Sequence, residues 1–94
     1  MTNTIHKVKV KNMIGNSGRE VVNQFILTTD EGEYFQSYAS IIGFWSNDGK
    51  ITLDENKWDY STTTGKYRNK WLGEKKADTL RKIKSNQYKL ADLN

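Results

Sequence analysis

The chain has no cysteine and no proline among its 94 residues, and a single histidine. Without cysteine, neither a disulfide framework nor a thiolate zinc site can form, which fits a reducing compartment. One histidine excludes a histidine metal cluster and any two-histidine mechanism. That residue, His6, lies among strand-patterned neighbours and reads as an exposed strand position rather than a general base. Residues 1–11 alternate polar and apolar side chains, with no apolar run of signal-peptide length. No stretch approaches the roughly 20 apolar residues that span a bilayer. The expectation is a soluble, intracellular protein with no membrane partner.

Glycine-rich phosphate loops are also missing. Gly43, Gly49 and Gly65 are isolated, and none opens a run leading to a lysine and a hydroxyl residue. The acids Asp54, Glu55 and Asp59 lie close together but lack calcium-loop spacing, and they read as a polar loop. Ser61, Thr62, Thr63 and Thr64 offer hydroxyls with no histidine or lysine relay beside them, so helix capping explains them better than catalysis. We therefore expect no catalytic residues, no metal and no cofactor.

What is present is charge asymmetry. The net charge of +4 divides into +3 for residues 1–11, −5 for residues 12–60 and +6 for residues 61–94. A basic final third argues for a polyanionic or acidic partner, set against the plainer use of charge as a solvated helical face.

One modest core is all that this length supports, and no linker, repeat or low-complexity tract divides it. A single domain over residues 1–94 is expected. Residues 4–10 pattern as a strand, and residues 20–29, rich in β-branched and aromatic side chains, as a central strand. Asp30-Glu31-Gly32 predicts a hairpin leading into a strand over 33–39. Residues 41–46 and 50–54 form a second hairpin around Asn47-Asp48-Gly49.

Ser61 and the threonines after it then cap a short helix. Tyr67 and Trp71 share one face of it, and Gly73 ends it in a left-handed conformation. A second helix over 75–85 presents Ala77, Leu80 and Ile83 to the sheet, and Tyr88, Leu90 and Leu93 belong to a terminal strand or tail. The predicted fold is α+β: a small curled antiparallel sheet of four to five strands, followed by two short helices packed on one face.

The segment from Trp58 to Lys76 interleaves aromatic and basic residues. Rings stack on bases while cations neutralise phosphates, and Trp, Tyr and Arg are also frequent anchors of protein interfaces. Trp58 and Trp71 are expected mostly in the core, with Tyr34, Tyr38 and Tyr60 at the surface. The lysines do not form one continuous stripe on either predicted helix, which weakens a purely nucleic-acid reading. The binding surface is placed on Tyr60, Lys66, Arg68, Lys70, Lys75 and Lys82, with Tyr60 and Arg68 as its anchors.

The runs Tyr34-Phe35-Gln36-Ser37-Tyr38, Ser40-Ile41-Ile42, Trp58-Asp59-Tyr60-Ser61, Lys66-Tyr67-Arg68-Asn69 and Leu72-Gly73-Glu74 resemble small proteins of tailed bacteriophages infecting Gram-positive bacteria, classed as a domain of unknown function. The resemblance runs from about residue 20 to the C-terminus. It implies a phage-encoded accessory protein acting in the host cytoplasm, and it supplies no catalytic or binding residues. The resulting expectation is a non-enzymatic protein that binds and modulates a host target, a defence or nucleic-acid-handling complex. Direct binding of DNA or RNA, or sequestration of a nucleotide signal by an oligomer, are the alternatives. A homodimer is a further expectation, with Leu80 and Ile83 as its interface if they are solvent-exposed.

Overall fold

The structure is a computed structural model that describes residues 8–94. Five strands come first: β1 (Lys9–Ile14), β2 (Glu20–Thr28), β3 (Gly32–Ser37), β4 (Ser40–Ser46) and β5 (Ile51–Asp54). Two helices follow, α1 (Thr62–Leu72) and α2 (Lys76–Lys84), and then a last strand, β6 (Tyr88–Ala91). The strands form one open sheet in sequence order, β1 to β6. The class is α+β, but the sheet has six strands rather than four to five.

Nor is the sheet wholly antiparallel. The helices carry the chain back across it, so β6 lies parallel to β5, with Ile51 opposite Tyr88 and Leu53 opposite Leu90. A parallel neighbour requires such a crossover, and the helical segment supplies one.

Two predicted strands shift. β1 starts later than expected, and the predicted residues 4–7 lie outside the described residues. β3 stops at Ser37 because Ser37 and Ser40 close a hairpin through Tyr38 and Ala39, with Tyr38 at φ 55. No Gly or Asn announces that turn. The Asn47-Asp48-Gly49 turn is where the sequence places it, closed by Gly49 N–H donating to the Ser46 carbonyl at 2.9 Å.

One face of the sheet carries the helices. Ile26, Phe35, Gly43 and Leu53 lie in a cross-strand row on that face. Phe35, Ile42, Ile26 and Met13 pack with Tyr67 of α1, and Ile51, Leu53 and Tyr88 pack with Leu72. Trp71 and Trp58 are only partly buried at the margin of these clusters. Trp71 donates its indole N–H to Glu33 at 2.8 Å, tying α1 to β3.

α1 begins and ends as expected. The Ser61 hydroxyl accepts from Thr64 N–H at 3.1 Å, and Gly73 at φ 70 donates to the Asn69 carbonyl at 2.8 Å. The expected seat of α2 is kept only by Ile83, which is half-buried against the Leu53–Leu72 cluster. Leu80 is 38% exposed and Ala77 is exposed, while Thr79 is fully buried. Polar groups hold the rest of the inward face of α2. Glu74 accepts from the Thr79 hydroxyl at 2.6 Å, from Lys82 at 2.6 Å and from the Tyr88 hydroxyl at 2.9 Å.

Candidate binding cleft

The strand-to-helix junction before α1 is built around Arg68. Its side chain is 1% exposed, so it is no surface anchor, contrary to the sequence-based expectation. Burying a guanidinium demands partners. Arg68 Nη1 donates to the Trp58 carbonyl at 2.9 Å and to Asp59 Oδ1 at 2.8 Å, and Nη2 donates to Asn69 Oδ1 at 2.8 Å. The guanidinium also stacks over the Trp58 ring, 5.1 Å from its centroid. Nε is left without a partner among the described residues.

Asp59 is shared. Its other oxygen meets Lys76 Nζ, at the start of α2, at 2.6 Å. Burial acts to raise the Asp59 pKa, but hydrogen bonds and charge from Lys76 and Arg68 outweigh it and hold the carboxyl below its ordinary range. One carboxylate thus links the loop, α1 and α2.

Above this pair lies a shallow cleft of about 700 Å³. Asp59, Tyr60, Thr62, Lys66, Asn69 and Lys76 are among the residues lining it, with Arg68 in its wall. Tyr60 is 43% exposed, and Lys57 Nζ sits 5.1 Å from its ring centroid. Gly65 is buried against the Asp59–Arg68 pair. The cleft therefore offers an exposed aromatic ring, two lysine ammonium groups and the first turn of a helix that carries no acidic residue. Such a set of donors accepts negative charge.

The structure brings Tyr60, Lys66 and Arg68 together here and separates the other three predicted residues. Lys70, one turn beyond Lys66, reaches β1 instead and donates to the Ile14 carbonyl. Lys75 is exposed and precedes α2, its backbone N–H donating to Asp78 at 3.3 Å. Lys82 is bound to Glu74, and that hydrogen bond raises its pKa.

Lys76 and Asp59 are the cleft residues that sequence reasoning missed. In the sequence Lys76 only closes the interleaved aromatic and basic run, and Asp59 reads only as a loop acid. The signal was local: Asp59 precedes Tyr60, nine positions before Arg68. The other two loop acids have separate fates. Asp54 is buried and accepts from the backbone N–H of Asn56, Lys57 and Leu93, while Glu55 is exposed.

A model of a family of unknown function (DUF8033) matches residues 8–87. The chain belongs to the DUF8033 family. No curated protein and no solved structure matches it. No helix of this DUF8033 chain, among the described residues, is long and apolar enough to cross a membrane.

Proposed function

We propose that this DUF8033 protein is a non-enzymatic binding module that engages a negatively charged surface of its partner through the cleft before α1. In its biological setting the proposal is a phage accessory protein that modulates a host target, a defence or nucleic-acid-handling complex; the resemblance of the Trp58–Ser61 and Lys66–Asn69 runs supports that setting. The observation that carries the binding reading is the exposed Tyr60 ring lining one cleft with Lys66 and Lys76, beside the Asp59–Arg68 ion pair. The ring supplies area and a hydroxyl, the lysines supply charge, and the ion pair fixes their spacing.

The test is a Tyr60→Ala/Lys66→Ala variant, examined by thermal unfolding and by capture from infected host lysate with and without nuclease. The expected result is unchanged unfolding with loss of the captured target. Undiminished capture by the folded variant would remove the cleft from the interface. Nuclease-sensitive capture, together with oligonucleotide binding that falls steeply with salt, would instead favour direct DNA or RNA binding. A rise in melting temperature with a mononucleotide alone would favour sequestration of a nucleotide signal.

A further inference from the structure

Apart from the cleft, β1 forms one edge of the sheet, with no further strand beside it among the described residues. Between this edge and α1 runs a groove of about 630 Å³. Met13, Ile26 and Trp71 give it an apolar floor; Lys11, Lys70, Glu20 and Glu33 also line it, with Lys70 held by the Ile14 carbonyl and Glu33 by the Trp71 N–H. The apolar side chains of this edge are unusually open to solvent: Val10 is 60% exposed, and Val8 and Ile14 nearly half exposed. Its pairing with β2 is irregular between Asn12 and Ile14, where the register shifts.

We propose that this edge and groove form a docking site for an extended acidic segment of another protein, added to the sheet alongside β1. An open strand edge offers main-chain hydrogen bonds, and a groove beside it selects alternate side chains of the added strand. The charge pattern chooses the occupant. Lys11 lies in register with Ile26, and Lys9 with Thr28, so both lysines project on the face that carries the helices. An added strand therefore meets Lys9 and Lys11 at alternate positions and Met13 two residues further on. Acidic, acidic and apolar side chains at every second position satisfy all three.

In the register centred on Val10, the same lysines disfavour a second copy of the chain. A two-fold axis through Val10 would set Lys9 opposite Lys11 of the second copy, and directly opposed like charges destabilise a strand pair. The groove and the cleft share no lining residue, and the site does not depend on the cleft.

The probe is a fluorescein-labelled peptide in which two glutamates and a leucine alternate with threonines, compared with a peptide carrying lysine for glutamate. The full chain should bind the glutamate peptide and slow hydrogen exchange at β1 amides. A Lys9→Glu/Lys11→Glu variant should weaken that binding by about tenfold or more and gain affinity for the lysine peptide. Three results would overturn the proposal. One is no binding of the glutamate peptide at low salt. Another is binding that the double charge reversal leaves intact, or that protects amides around Tyr60 and Lys66 instead. The third is a β1 edge already protected in the free chain, whether by its own N-terminal residues in a monomer or by a second copy in a dimer.

Discussion

Gly43 on β4 leaves the space that the Trp71 ring occupies. A β-carbon at Gly43 would lie 2.7 Å from Trp71 Cζ3 and 2.9 Å from Leu53 Cδ2. The ring is pressed to this point from three sides. It lies 5.7 Å from Phe35 and 5.8 Å edge-on to Trp45, and its N–H is bound by Glu33. The contact couples α1 to the centre of the sheet through a residue with no side chain.

Gly43→Ala is therefore expected to destabilise the fold by about 1–3 kcal/mol, the usual cost of overpacking a core. Chemical denaturation should show a lower midpoint with an unchanged slope. Gly65→Ala should do the opposite. Its β-carbon would meet Asp59 and Arg68 at 3.5 Å and beyond, in ordinary contact, and alanine is favoured over glycine inside a helix by about 0.5–1 kcal/mol. A loss of stability in Gly65→Ala would show that the Asp59–Arg68 pair cannot accommodate a methyl group.

Arg68 and Tyr60 should separate cleanly. Arg68→Ala removes the buried partner of Asp59 and strips the Trp58 and Asn69 acceptors, so a loss of about 3 kcal/mol or more is expected, visible as a much lower melting temperature. Tyr60→Ala changes an exposed side chain and should stay within about 0.5 kcal/mol of the parent. Equal effects from the two would contradict this division of support and contact.

Leu80 gives a simple test of how α2 is seated. Leu80→Ser should be close to neutral, because the side chain faces solvent. Thr79→Val should be costly, because it deletes the hydroxyl bound to Glu74. Circular-dichroism melts of the pair would show reversed sensitivity if Leu80 were the buried residue.

Stability should fall at both ends of the pH scale. Burial acts to raise the Glu74 pKa, but hydrogen bonds from Lys82, Thr79 and Tyr88 hold it below the ordinary 4.5. Asp54 and Asp59 are likewise lowered against the effect of burial. Carboxylates with depressed native pKa values contribute stability that is complete above the ordinary range and is lost as pH falls through the native values. At the alkaline end, the hydrogen bond to Glu74 raises Lys82, and burial together with Glu74 raises Tyr88. Their contribution is present below about 10 and is lost as pH rises through the native values. Melting temperature against pH should thus form a plateau, and Glu74→Gln should lower it and flatten both shoulders.

By itself the sequence determined the elements whose signals are local. Ser61 and Gly73 bounded α1, and Asn47-Asp48-Gly49 turned the second hairpin, because caps and tight turns are decided by a few adjacent residues. β-Branched and apolar composition bounded by turn signals likewise placed β2, β4 and β5 to within two residues. The Tyr38-Ala39 turn escaped, since its residues carry no turn chemistry and the pairing of Gln36 with Ile41 enforces it.

Only the tertiary structure decided the rest. It sent β6 parallel to β5, because the helical crossover fixed its direction. It buried Arg68 and exposed Leu80, because partners from distant parts of the chain outweighed residue type. A guanidinium that meets Asp59, Asn69 and the Trp58 carbonyl can be buried, whereas Leu80 lies outside both apolar clusters and stays 38% exposed. Of the predicted surface, Tyr60 and Lys66 were legible because they are close in sequence and stayed exposed. Lys76 joined them through Asp59, a contact spanning the whole of α1 that spacing alone does not reveal.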